Sequence, residues 1–143
     1  MYSILLVDDD SSVLLTLSIA LRRCGHNVTV AGDGEQALNQ LHRQKFDAMI
    51  SDIRMPGMSG LELAATVREL ENPPRIILTS AHYDPSLSPN PAEIAEAFLQ
   101  KPIEIDTLCR QLDKKPRSRT SFRRHRERRL RRVRRMSRQR LTA

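Results

Sequence analysis

Short apolar runs recur through this chain, and between them the apolar residues switch to a spacing of three and four. That alternation constrains the fold more than any other feature. Ile4-Leu5-Leu6-Val7 is a continuous apolar run, as expected for a strand buried on both faces. Val13, Leu14, Leu17, Ala20, Leu21 and Cys24 then follow helical spacing, with Asp10 or Ser11 as the cap and Gly25 as the stop. A second strand is read at Asn27 to Ala31, and Asp33 caps a short helix with Gln36 three residues on. A third strand covers about 47–51 and runs into Asp52. The turn Pro56-Gly57 and the capping pattern Ser59-Gly60-Leu61-Glu62 then open a helix. Arg75 to Thr79 is a fourth strand and Ala97 to Gln100 a fifth. Glu104 stands where it can cap a last helix, which ends near Lys115-Pro116. Five strands alternating with helices predict an α/β fold: a parallel sheet covered on both faces, with right-handed crossovers. Functional groups then gather at the C-terminal ends of the strands.

The residues at those ends form a chemical set. Strand one delivers Asp8, Asp9 and Asp10; strand three, Asp52; strand four, Thr79 and Ser80; strand five, Lys101. Carboxylates brought together repel and raise one another's pKa. A hard divalent cation removes the conflict, and an all-oxygen donor set with retained waters suits Mg2+. A carboxylate beside such a cation and an ammonium is placed to attack a phosphorus centre, with the hydroxyl donating to a phosphoryl oxygen. Asp10 is read as a helix cap, and Met49, Met55 and Met58 as packing. His26, His42, His82 and His125 share no ligand spacing.

ILLVDDD, then SDIRMPGMSGLEL, then ILTSA, then AFLQKP resembles the receiver domain of bacterial two-component response regulators, over about residues 2–113. The resemblance implies a flavodoxin-like fold of strand order 2-1-3-4-5. It makes Asp52 the acceptor of a phosphoryl group from a histidine kinase, a phosphotransfer protein or a small phosphodonor. Asp9, Asp52 and the backbone carbonyl of Arg54 would ligate Mg2+, with Asp8 acting through water. Lys101 would pair with the phosphoryl group, Thr79 would donate to it, and Phe98 takes the position of the switch aromatic. Lys101-Pro102 matches a position where the family often has a cis peptide. A phosphatase of the haloacid-dehalogenase type would need an acid two residues after Asp52, where this chain has Arg54. The implied role is a phosphorylation-dependent switch near strands four and five, not a turnover enzyme.

Two regions depart from that pattern. Between Tyr83 and Pro91, three prolines replace the expected fourth helix, which predicts a loop over about 84–92 and at most one helical turn near Ala92 to Ala95. Charge divides the chain as sharply. Residues 1–113 hold nine Lys and Arg against sixteen Asp and Glu; residues 114–143 hold fifteen, thirteen of them Arg, against Glu127 alone. The first region is therefore read as the receiver and the second as an arginine-rich tail, expected to be disordered or a frayed helix. Its apolar residues Leu130, Val133 and Met136 make only a thin stripe, with Phe122 distant. The tail suggests a nucleic-acid partner bound without base reading, docking on the acidic body, an acidic partner or a membrane face, or a truncated, frame-altered or weakly functional extension. An alternative reading makes nucleic-acid binding the function and the receiver its scaffold. No run of about twenty apolar residues predicts a membrane span, and MYSILLVDDD lacks a secretory signal. Cys24 and Cys109 are expected as small core residues in a reducing, cytoplasmic setting.

Overall fold

The structure is a computed structural model, and it describes residues 1–82, 91–115 and 119–141. Five strands form one parallel sheet in the order β2-β1-β3-β4-β5. They are β1 (Ser3–Val7), β2 (Asn27–Ala31), β3 (Ala48–Asp52), β4 (Arg75–Ser80) and β5 (Ala97–Gln100). The helices are α1 (Ser11–Arg23), α2 (Gly34–Arg43), α3 (Gly60–Arg68), α4 (Pro91–Ile94), α5 (Ile105–Asp113) and α6 (Arg119–Leu141). Strand order and alternation match the sequence reading.

Alternate residues of each buried strand serve opposite faces, as the two-residue period requires. On one face Ile4, Leu6, Ile50, Ile77 and Leu99 meet Leu17 and Leu21 of α1 and Leu108 and Leu112 of α5. On the other, Leu5, Val7, Met49, Ile76 and Leu78 meet Ala37 of α2, Leu61, Ala64 and Val67 of α3, and Ile94 of α4. Burying a leucine or isoleucine side chain contributes roughly 1.5–3 kcal/mol, so two such layers fix the register of every strand.

Local caps follow the sequence. The Asp10 carboxylate accepts from the N–H groups of Ser12 (2.9 Å) and Val13 (3.4 Å), Asp33 accepts from Gln36 N (2.8 Å), and the Ser59 hydroxyl accepts from Glu62 N (3.2 Å). Glu104 occupies the N-cap of α5, but its side chain makes no capping hydrogen bond. The far end of α5 is held instead by Arg75, whose guanidinium donates to the carbonyl of Gln111 at 2.7 Å and to that of Lys114.

The prolines of 84–90 fall outside the described residues. Beyond them, α4 is a single turn at Pro91–Ile94, one residue earlier than the expected stub. Within the arginine-rich segment, expected from sequence to be disordered or a frayed helix, Arg119–Leu141 is a helix of 23 residues. Arginine is a strong helix former, and Glu127 pairs with Arg123 four residues earlier at 3.1 Å. Phe122, far from the stripe in sequence, anchors its first turns: it is buried, and the Arg68 guanidinium lies 3.9 Å over its ring. That same guanidinium donates to the Ile94 carbonyl at 2.8 and 3.2 Å, so one side chain joins α3, α4 and α6. Leu130, Val133 and Met136 lie along α6 half in solvent. Among the described residues no helix is long and apolar enough to cross a membrane.

Candidate functional site

Parallel pairing puts every strand's C-terminal end at one rim. Val7 lies opposite Ser51, Asp52 opposite Thr79, and Ser80 opposite Gln100. Asp8, Asp52, Thr79 and Lys101, far apart in sequence, therefore meet. Asp8, Asp52 and Thr79 are buried, while Asp9 is exposed at the lip.

Lys101 bridges the two buried acids. Its Nζ donates to Asp8 Oδ2 at 2.8 Å and to Asp52 Oδ2 at 3.1 Å. The neighbouring backbone holds the carboxylates in place: Asp10 N–H donates to Asp8 Oδ1 at 2.9 Å, and Arg54 N–H to Asp52 Oδ1 at 3.3 Å. Burial pushes the Asp52 carboxyl up. The Lys101 hydrogen bond and charge pull it back, the Asp8 charge adds to the rise, and the net displacement is upward. At Lys101, burial opposes the charge, but hydrogen bonds to Asp8 and Asp52 and the charges of both acids outweigh it, and its pKa is raised. Asp10 is lowered, chiefly by the Ser12 hydroxyl and then by the N–H groups of Ser12 and Val13. It behaves as the cap that the sequence suggested.

Asp8, Asp9 and Asp52 each offer a carboxylate oxygen, and these oxygens lie within 4.8 Å of one another. Three hard, anionic donors with neither His nor Cys among them fit a divalent cation that keeps part of its water shell. The residues present therefore suit Mg2+. Arg54, the further ligand expected through its carbonyl, lies two residues past Asp52 at the end of β3, and its side chain is exposed. Phe98 packs on the same face as α3 and α4, with its backbone opposite Leu78, one residue before Thr79. The Lys101-Pro102 peptide is cis.

Gly60 is a constraint that the sequence reading treated only as part of a capping pattern. It opens α3, and its N–H donates to the Ile53 carbonyl at 2.7 Å. A Cβ at this position would lie 1.9 Å from the Asp52 carbonyl oxygen. Only glycine lets α3 begin against the backbone of the buried acid. Gly57, with φ of 75°, makes the turn that returns the chain to that contact.

Cys24 and Cys109 are not core residues. Cys24 is exposed, Cys109 half-buried, and their sulfurs are 3.8 Å apart. The reading missed this because α1 and α5 become neighbours only when both pack on the same sheet face.

Comparison with known proteins gives a consistent result. The family model "Response regulator receiver domain" matches residues 4–113. The transcriptional regulatory protein GlrR of Escherichia coli is 36% identical over 111 residues, which is 77% of this chain and 25% of that protein. The chain thus spans about a quarter of the length of that relative. Among solved structures, the chemotaxis response regulator CheY4 of Vibrio cholerae is 31% identical with a TM-score of 0.71, covering 78% of this chain and 96% of that one. The response regulator TrrA of Thermotoga maritima, solved in complex with Mg2+–BeF, is 32% identical with the same TM-score and the same coverage of both chains.

Proposed function

The chain belongs to the response regulator receiver family, and from that premise we propose that it is a phosphorylation-dependent signalling switch whose acceptor is Asp52. One observation carries the reading: Lys101 spans two buried carboxylates at 2.8 and 3.1 Å, at the rim where β3, β4 and β5 end. This lysine is placed to neutralise a phosphoryl group bonded to the neighbouring Asp52.

An Asp52 carboxylate oxygen attacks the phosphorus of a phosphohistidine or an acyl phosphate. A P–O bond forms to Asp52, the donor's P–N or P–O bond breaks, and the leaving group departs with the electron pair. Asp8, Asp9, Asp52 and the Arg54 carbonyl would hold Mg2+, which supplies charge neutralisation at the phosphoryl oxygens when bound. That TrrA, a related response regulator, was solved in complex with Mg2+–BeF supports Mg2+ as the cation. Lys101 gives up part of its contact with Asp52 and pairs with the new dianion. The Thr79 hydroxyl, beside Asp52 in the adjacent strand, donates to a phosphoryl oxygen. Phe98, on the neighbouring strand, repacks as Thr79 moves. The phosphoryl group adds about two negative charges, and the rearrangement it favours needs only a few kcal/mol of differential binding.

The donor is a histidine kinase or phosphotransfer protein in the cytoplasm, and the arginine-rich segment 114–143 carries the output to an acidic partner. Nucleic acid is the partner its charge fits best. In a salt titration, neutralising about ten phosphates would give a slope near −9 in log K against log salt. Incubation with Mg2+ and acetyl phosphate should add one phosphoryl group by mass, and Asp52→Asn should remove it. No mass increase in the parent chain, or an unchanged one in Asp52→Asn, would overturn the assignment.

A further inference from the structure

The chain has two cysteines, 85 positions apart, and the fold puts them in contact. Cys24 is the C-cap of α1, and Cys109 lies on α5. Leu17 and Leu21 bind α1 to the sheet, and Leu108 and Leu112 bind α5 beside it. The two sulfurs that result stand 3.8 Å apart, both as free thiols, at the solvent edge of this layer. A free cysteine kept for packing is ordinarily buried. Here one thiol is exposed, the other half-buried, and each is the other's neighbour.

We propose that Cys24 and Cys109 are a reversible redox pair, oxidised by a hydroperoxide to an intramolecular disulfide that fastens α5 to the end of α1. The exposed Cys24 reacts first, because access governs which thiol meets the oxidant. Its thiolate attacks the peroxide: an S–O bond forms, the O–O bond breaks, and hydroxide leaves. The Cys109 sulfur then attacks Cys24. An S–S bond forms, the S–O bond breaks, and the hydroxyl departs as water with the Cys109 proton. In sum, two thiols give up two electrons and two protons, and hydrogen peroxide becomes two waters. Reduction by a dithiol reverses the change through thiol–disulfide exchange.

The surroundings suit this order. Burial pushes the Cys109 thiol up to about 11, with the hydrogen bond and charge of Cys24, then Asp113 and Asp106, adding to the rise. Cys109 thus stays a protonated thiol while Cys24 is still reduced. The acceptor Asp52 stands on the sheet rim and takes no part, so this chemistry neither needs nor consumes the phosphorylation machinery.

The test uses the full chain, reduced, freed of reductant and treated with hydrogen peroxide. Free thiols are then alkylated with N-ethylmaleimide, and the intact mass is read. Both thiols should be lost together, with the chain lighter by two hydrogen atoms and still monomeric on a non-reducing gel. Its unfolding midpoint should rise by several degrees, because a cross-link across a long loop restricts the unfolded chain, and dithiothreitol should return it. In Cys109→Ser, dimedone should trap a sulfenic acid on Cys24. In Cys24→Ser, thiol loss should slow about tenfold, since the remaining sulfur is less accessible and held as a thiol. The proposal is overturned if Cys24 is oxidised while Cys109 still alkylates, or if the disulfide forms only between chains. Equal rates of thiol loss in the two serine variants would overturn the order of events.

Discussion

The acidic rim and the arginine helix handle charge in opposite ways. At the rim, Asp8 and Asp52 are buried around one ammonium, and backbone N–H groups of Asp10 and Arg54 fix the carboxylates from behind. Asp8, Asp52 and Lys101 each have an assigned partner there, and the strands that hold them are packed on both faces. Along α6, most of the described arginines stand exposed to solvent, and the single acid of the segment, Glu127, pairs with Arg123. The rim is therefore coupled to the whole domain, whereas α6 meets the α3–α4 surface at Phe122, over the Arg68 guanidinium. A charge is structurally consequential where it is buried and paired, not where it is abundant.

The largest effect expected from breaking this contrast is at Gly60. A methyl group there must displace the Asp52 carbonyl, because the two atoms would stand 1.9 Å apart. Gly60→Ala should cost about 3–5 kcal/mol in urea unfolding, comparable with severe overpacking. A cost near zero would mean that α3 is not wedged against β3. Lys101→Ala comes next. It leaves Asp8 and Asp52 buried and facing each other without a counterion, at a cost of about 2 kcal/mol for a partly screened pair. Millimolar Mg2+ should recover most of that loss in a thermal melt, and the recovery is the sharper readout. A loss that Mg2+ leaves unchanged would argue that the three carboxylates do not share a cation.

Asp52→Asn should act in the other direction. The Asp52 pKa is raised in the fold, so between the ordinary aspartate value and the raised one the native state binds more protons than the unfolded chain. Stability then falls as pH rises through that window, and the deficit is complete above it. Removing the charge should stabilise the Mg2+-free protein at neutral pH by about 1 kcal/mol, or a few degrees in Tm. The gain should shrink to nothing as the pH drops below the ordinary aspartate range. Lys101 has the opposite signature. Its raised pKa contributes stability below 10.5 that is lost as the pH climbs through the higher folded value. A neutral-pH melt in which Asp52→Asn is less stable than the parent would show that Lys101 needs both acids.

The rim was legible because its logic is one-dimensional. A buried apolar run such as Ile4 to Val7 says where a strand ends, parallel pairing says that strand ends share an edge, and Asp8, Asp52, Thr79 and Lys101 then meet without further information. Asp10, Asp33 and Ser59 were equally plain, since a cap acts over three residues. What was not legible depends on packing between elements distant in sequence. The close approach of Gly60 to Asp52 requires the angle at which α3 leaves the sheet, which the capping pattern does not contain. Cys24 and Cys109 meet only because α1 and α5 share a face. How far the helix runs over 119–141 was not legible, because arginine repulsion and arginine's helix propensity pull in opposite directions, and because Phe122 shows its anchor only once Arg68 is placed beneath it.

The smallest expected effect tests the weaker side of the contrast. Phe122→Ala removes an aromatic side chain that is 4% exposed and lies over Arg68. In a domain core such a change costs about 3–5 kcal/mol. Here the ring joins α6 to the α3–α4 surface, and the sheet packing does not pass through it. The variant should therefore leave the global unfolding midpoint within about 1 kcal/mol of the parent, as expected for an element that opens locally. Amide exchange in 119–141 should quicken, and far-UV helical signal should fall at low salt, where arginine–arginine repulsion is least screened. Added salt should restore part of that signal in the variant and change it little in the parent, whose first turns are held by the ring. If Phe122→Ala instead lowers the global midpoint as far as Lys101→Ala does, α6 is an integral layer of the domain, and the separation of a rigid acidic body from a loosely tethered basic helix fails.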